Sequence, residues 1–307
     1  MLDKLADGSG PSIGPVMMSI PETAPFSIFM LLRALLAGHG FAGMSPSGRE
    51  TLNACARFGV REMMVTPLAL NELVMAAESG APRGDLARIC VFGSVVEPAL
   101  LARTEYAFGC GVYICCGATE IGQTSFGRFD PATYVTGWCG KPVAITQVRI
   151  GDGEPVGASG RLYLRLTTGP LVEGYIGGPA ALDPQGWFDT GDIARIEPDG
   201  TLMIEGRADN VINLGGSKFA AERIETLASL APGVVMCAAV RLLAADGMAP
   251  ELGIAVIPSA GFDAAYLRNF LAETLRTSAR IRVATSTQLP SLPTGKLDRT
   301  AVASLFN

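Results

Sequence analysis

REMMVTPLALNELVMAAESG at 61–80, with ICVFG following at 89–93, is the stretch on which the fold reading turns. REMMVT at 61–66 reads as a strand, PLALNELVMAAESG as a helix with Pro67 at its start, and ICVFG as the next strand. The same alternation extends outward. VMMSI at 16–20 reads as a buried strand and FSIFMLLRALLAG at 26–38 as a helix ending at Gly38. EPALLARTEYAFG at 97–109 is helical and GVYICC at 111–116 is again a strand. Strands separated by helices of about ten to fourteen residues predict a layered α/β sheet with parallel pairing.

From about residue 130 the texture changes. QVRIGDGEPVG, RLYLRL and FDTGDIARIEPDGTLMIEG are short alternating runs joined by Gly, Asp and Pro, which predicts antiparallel strands or a small barrel. EPDGT between two such runs is a tight turn by its own chemistry. After Arg207 a third texture begins. KFAAERIETLASL and DAAYLRNFLAETLR read as helices, and VVMCAAVRL, LGIAVIP and IRVATST as strands. The expected organisation is therefore a larger domain over 1–206, α/β at 15–125 and β-rich at 130–206, then a small α+β domain over 207–307. No internal repeat or heptad run interrupts it.

Composition narrows the function classes. With 49% hydrophobic and 17% charged residues, the 307-residue chain is rich enough in apolar side chains for an ample core. A net charge of −5 offers no basic footprint for nucleic acid. The seven cysteines form no C-x-x-C pair, and with one histidine, His39 between two glycines, no mixed Cys/His zinc spacing exists. The odd count, with Cys115 and Cys116 adjacent, suits a reducing cytoplasm, and both are expected to be buried strand residues rather than nucleophiles. Mean hydropathy is +0.33. Even so, the most apolar stretch, 25–38, has the length of a buried helix and carries Arg33, whereas a membrane span needs roughly 20 apolar residues. Residues 1–14, with Asp3 and Asp7, do not read as a secretion signal.

Four further segments stand in order: CCGATEIG at 115–122, GWFDTGD at 186–192, GRADNVINLGGSKFAAERIE at 206–225 and LPTGKLDR at 292–299, with GKP at 140–142 between the first two. Each alone is a common turn; together they resemble the adenylate-forming family of acyl-CoA synthetases, aryl-CoA ligases and peptide-synthetase adenylation domains. The resemblance runs from about residue 15 to the C-terminus. It implies the remainder of a large adenylating domain, a layered α/β sheet plus a small β-barrel, followed by a small mobile α+β domain. It also implies ATP-dependent activation of a small-molecule carboxylic acid as an acyl-adenylate, with Mg²⁺, and transfer to the thiol of CoA or of a carrier-protein phosphopantetheine. Such a reaction places negative charge at phosphorus and requires a cation, metal oxygens and a rigid nucleotide platform.

The roles that the resemblance implies fall on named residues. Thr119 contacts the α-phosphate and Glu120 holds Mg²⁺, with Gly117, Gly93 and Ser94 among the nucleotide-binding positions. Asp192 takes the ribose hydroxyls, and Arg207 helps grip the nucleotide. Lys296 bridges carboxylate and phosphate oxygens, Asp209 is the hinge, and Gly215 and Gly216 leave a passage for the pantetheine arm. Glu222 and Glu225 are read, with Lys218 and Arg223, as a solvated helix face.

The chain also departs from the family pattern. DGSGPSIGP at 7–15 has glycines but no threonine run and no lysine, so it reads as a linker and not as the loop that wraps the β- and γ-phosphates. Cys116 stands where relatives carry an aromatic residue against adenine, a loss of about 1 kcal/mol. PETA at 21–24 lacks the histidine that relatives often carry near the acyl pocket. These departures leave a second reading, a non-catalytic module for AMP, an acyl group or a carrier protein. A third is that the chain is one fragment of a longer protein, and thioester formation alone is a further partial activity. A complementing ligase subunit would reconcile them with full activity.

Overall fold

The computed structural model describes residues 13–169, 174, 178, 180–214, 217–243 and 250–306. Most of the linker reading at 7–15, and the thiol passage at Gly215 and Gly216, lie outside them. The described chain divides into two compact units, Met1–Ile204 with Pro293–Gly295, and Glu205–Leu292 with Lys296–Asn307.

The first unit begins as a run of strand and helix: β1 (Val16–Met18), α1 (Pro25–Leu36), β2 (Phe41–Gly43), α2 (Gly48–Phe58), β3 (Glu62–Val65), α3 (Pro67–Glu78), β4 (Arg88–Phe92), α4 (Pro98–Phe108) and β5 (Gly111–Ala118). β6 (Gly122–Arg128) and β7 (Lys141–Pro142) complete a seven-stranded sheet of order β2-β1-β3-β4-β5-β6-β7. The pairings from β2 through β5 are parallel, and β6 and β7 add on antiparallel. Both faces of the sheet are covered. Met17, Met63, Val65, Ile89, Val91, Val112 and Ile114 face one core, while Val16, Met18, Met64, Cys90 and Cys115 face another that includes Met30 and Ala34 of α1. That is why these strands read as continuous apolar runs. Arg33, the charge inside apolar α1, is buried and donates to Glu62 Oε1 at 3.2 Å, an oxygen also 2.9 Å from Arg88 Nη2.

The structure adds β2 and α2 to the sequence reading. α2 is set by local chemistry: the Ser47 hydroxyl accepts from the Glu50 amide at its start, and Gly59 closes it at φ 61°.

The β-rich part consists of β8 (Thr146–Ile150), β9 (Gly160–Leu166), β10 (Phe188–Ile196) and β11 (Leu202–Arg207), in the order β11-β10-β9-β8. Leu162, Leu164 and Leu166 point to its core, and Arg161, Tyr163 and Arg165 to the other face, the period-two signature of the sequence. The EPDGT turn joins β10 to β11, with Asp199 accepting from both the amide and the hydroxyl of Thr201.

The second unit holds the hairpin β12 (Val211–Leu214) and β13 (Ser217–Ala220), then α5 (Ala221–Ser229), β14 (Val234–Leu243), β15 (Pro250–Pro258), α6 (Ala264–Thr274), β16 (Ile281–Thr285) and α7 (Arg299–Ala303). β14 and β15 pair antiparallel, β15 and β16 parallel. KFAAERIETLASL is not one helix: 217–220 pairs with β12 as strand, and only then does α5 begin. The solvated-face reading of α5 is also corrected. The side chains of Glu222 and Glu225 are 13% exposed and both bind Arg299 of α7.

Candidate functional site

In the first unit the implied nucleotide residues stand where parallel strands end. β4 ends at Phe92, and Gly93 (φ 93°) and Ser94 follow it, both exposed. β5 ends at Ala118, and the turn 119–121 returns the chain into β6. Adjacent parallel strands place these turns at one edge of the sheet, the usual ligand edge of α/β folds.

The GATE turn is built by glycine and by one apolar anchor. Pairing of β5 with β6 shifts register between Cys116 and Gly117, then resumes at Gly117↔Gln123 and Ala118↔Gly122. A Cβ on Gly117 would lie 2.4 Å from the Gly122 carbonyl oxygen, so the position excludes any side chain. Gly122 at φ 80° completes the turn, and Ile121, 2% exposed, pins it to the core of the β-rich part. Thr119 is left exposed and Glu120 half-buried at the tip.

Asp192 lies within a strand, not in an open turn. β10 pairs with β9 on both sides of an irregularity between Asp189 and Ile193. Gly191 takes φ 75°, Asp189 Oδ1 accepts from the Gly191 amide, and Thr190 Oγ1 accepts from the Asp192 amide while donating to Leu162 O. The bulge thus aims a half-buried Asp192 from a strand locked at both ends. Sequence reading passed over Cys139, a buried thiol that donates to Gly137 O at 3.5 Å. Hydrogen bonding with Cys116 first, then burial, with the charge of Asp192 a smaller cause, raises it well above its ordinary range. Ile121 of the GATE turn packs in one core with Phe188 and Ala194 of the strand that carries Asp192. Cys115 is buried, as expected; Cys116 is only partly so and packs against both cores of this region.

In the second unit Arg207 ends β11 and Asp209 sits in the following 3-10 turn. The guanidinium of Arg207 binds both oxygens of Asp209, Nε to Oδ1 at 2.9 Å and Nη2 to Oδ2 at 3.0 Å. The implied nucleotide grip and the implied hinge residue are thus partners, in a pair 43% and 67% exposed. Such a solvent-exposed pair is weak. Lys296 is exposed on a tight loop closed by the Leu292 amide to Lys296 O (2.8 Å) and by the Asp298 amide to Pro290 O (3.0 Å), with Gly295 at φ 73°.

Glu120 is one half-buried carboxylate, and no cluster of three potential metal ligands occurs among the described residues. This donor set fits Mg²⁺, which takes one or two carboxylates and completes its shell with phosphate oxygens and water. No helix among the described residues is long and apolar enough to cross a membrane.

A parallel α/β sheet with a Gly-x-Thr-Glu turn at its ligand edge, an Asp-bearing bulged strand beside it and a separate small α+β unit carrying an exposed lysine loop define an adenylate-forming ligase architecture. The chain belongs to the AMP-binding enzyme family, whose pattern it matches over residues 15–176. It is 30% identical over 305 residues to a 2-hydroxy-7-methoxy-5-methyl-1-naphthoate–CoA ligase of Streptomyces carzinostaticus, covering 88% of this chain and 54% of that protein. It is 30% identical to a vibriobactin-specific 2,3-dihydroxybenzoate-AMP ligase of Vibrio cholerae, covering 80% and 48%. The fold superposes on an O-succinylbenzoate coenzyme A synthetase of Bacillus subtilis, solved with ATP and magnesium, with TM-score 0.76 and 17% identity over 98% of this chain and 64% of that one. The chain thus spans about half the length of these curated relatives.

Proposed function

We propose that this chain carries the nucleotide and lysine machinery of an ATP-dependent ligase that activates a small aromatic carboxylic acid and passes it to a thiol. The observation that carries the reading is the Gly117–Glu120 turn at the ligand edge of the sheet, pinned by Ile121 in the same core as Phe188 and Ala194 of the strand that bears Asp192. The aromatic class is supported by the relatives, named for naphthoate, dihydroxybenzoate and succinylbenzoate.

In this reading a carboxylate oxygen attacks the α-phosphorus of ATP, the bond to the bridging oxygen breaks, and pyrophosphate leaves. Thr119, with Gly117, Gly93 and Ser94 beside it, lines the phosphate path, and Asp192 takes the ribose hydroxyls. Lys296 bridges the attacking carboxylate and the phosphate, and Glu120 holds Mg²⁺, which neutralises phosphate charge. Arg207, released from Asp209, grips the nucleotide. The small unit then turns at Asp209 and carries Lys296 away, and Gly215 and Gly216 admit the pantetheine arm of CoA or a carrier protein. Its thiol loses a proton, attacks the acyl carbon, and AMP leaves.

Residues 7–15 do not read as the loop for the β- and γ-phosphates, so this reading leaves that contact to residues other than these, in the same or another polypeptide. Cys116 favours the second reading, a module that binds AMP or the acyl group without adenylation, because a thiol replaces the adenine-stacking ring. All seven thiols are free, which supports a reducing, cytoplasmic location.

Calorimetry of AMP against ATP on the purified chain tests the proposal. AMP is expected to bind at least as tightly as ATP, since each missing phosphate contact forfeits about 1.5–3 kcal/mol. ATP bound far more tightly would show that this chain itself holds the β- and γ-phosphates. Binding of neither nucleotide would remove the site.

A further inference from the structure

The proposed hinge and the lysine loop converge on one carboxylate. Glu222 Oε2 accepts from the Arg207 amide at 3.3 Å, and Oε1 accepts from Asn210 Nδ2 at 2.8 Å. The same Oε1 accepts from Arg299 Nη2 at 3.1 Å. Arg299 lies three residues after Lys296 and opens α7. Its other bonds run to a fixed base: Nη2 to Glu225 Oε2 at 3.2 Å, and Nη1 to Glu225 Oε1 at 2.5 Å and to Ala239 O at 2.7 Å. The Ala239 amide in turn donates to Glu225 Oε1 at 2.7 Å, and Ala239 lies fully buried in β14. Gly206 makes the approach possible: at φ 146° it brings the hinge backbone so close that a Cβ there would lie 2.6 Å from Glu222 Oε2.

An exposed lysine needs no such foundation, and an exposed hinge turn needs no shared acceptor. Here a planar guanidinium, whose forked donors suit two carboxylates at once, sits between them, with Glu222 and Glu225 only 13% exposed. Two segments about ninety residues apart are therefore fastened to the α5–β14 base by one side-chain cluster.

We propose that Arg299, acting through Glu222, is a positioning residue for Lys296, fastening the lysine loop and the hinge segment 207–210 to one base so that they move as a single body. This rests on the proposed ligase reading for its catalytic consequence. The mechanical part stands on the bonds alone. Arg299 does not touch the reacting atoms; it decides where Lys296 arrives.

The test is hydrogen exchange and half-reaction kinetics on the full chain and its variants. In Arg299→Met, peptides spanning 204–211 and 289–298 are expected to exchange at least tenfold faster together, while those from β15 and α6 stay as in wild type. Arg299→Lys, which keeps the charge but not the fork, should recover part of the protection. Glu222→Gln should loosen the hinge peptide and leave the Arg299–Glu225 pair in place, and it serves should Arg299→Met fail to fold. In carboxylate-dependent exchange of pyrophosphate into ATP, Arg299→Met should lower turnover at least tenfold without raising KM for ATP. Thioester formation from a supplied acyl-adenylate should stay within twofold. Unchanged exchange in the hinge peptide, uniform acceleration over the whole small unit, or equal loss of both half-reactions would overturn the proposal. Absence of adenylation in wild type would instead sink the ligase reading, while the exchange experiment still decides the coupling.

Discussion

The GATE turn and the lysine loop carry charges of opposite sign on opposite kinds of support. Gly117, Thr119 and Glu120 sit on a hairpin between two long strands, pinned by Ile121 and by a backbone approach that admits no side chain. Lys296 sits on an exposed loop closed by two backbone hydrogen bonds, with its anchorage displaced to Arg299. Under the proposed reading the difference is a division of labour: a group that binds the same nucleotide atoms throughout would sit on a rigid strand end, and one needed in a single half-reaction on a unit that can leave.

The largest expected effect tests the mobile side. Lys296→Ala should abolish carboxylate-dependent pyrophosphate release. It should leave intact thioester formation from a supplied acyl-adenylate, because an ammonium that meets developing charge acts in the transition state of one step. Loss of both half-reactions would show that the lysine does not leave.

Next comes the rigid side. Gly117→Ala forces a methyl group against the Gly122 carbonyl, and overpacking of this kind typically costs about 1–3 kcal/mol. A lowered thermal midpoint together with weakened AMP binding is expected; a silent substitution would show that the hairpin is not rigid.

Asp192→Ala should weaken AMP binding about tenfold, near 1.4 kcal/mol, and leave the thermal transition in place. Hydrogen bonds of Asp189, Thr190 and Gly191 hold its bulge. A collapsed transition would return it to a structural role.

The smallest effect is a surface pair that contrasts with the buried Arg299 cluster. The hydrogen bond from Arg103 holds the Glu78 carboxyl below its usual range, so its contribution is present above the unfolded value and is lost as pH falls. The Glu78 side chain is 46% exposed, which limits Glu78→Gln to about 0.2–1 kcal/mol by chemical denaturation at neutral pH, shrinking on acidification. A larger loss would mean the pair braces α3 against α4.

Much of the larger unit was legible because a parallel sheet buried on both faces leaves continuous apolar runs, as at Met63–Val65 and Ile89–Val91. α2 was less so: GRETLNACARF buries only Thr51, Leu52 and Cys55, and its start depends on the Ser47 cap. FDTGD looks like a turn because Gly191 is one locally; pairing with β9 makes the segment a strand. Arg299 was visible beside Lys296 in LPTGKLDR, but its glutamates lie 74 and 77 residues earlier.

The sequence by itself determined the residue types, their order and the alternating layers, since those follow from local periodicity and turn chemistry. Tertiary structure alone decided which charges are buried. Glu222 and Glu225 share a helix face by spacing, and spacing does not say whether solvent or an arginine lies opposite. Likewise, only the packed sheets bring Ile121 into one core with Phe188 and Ala194, and only the folded turn closes Arg207 onto Asp209. Burial is set by what the rest of the chain brings to a surface, and that information is not local.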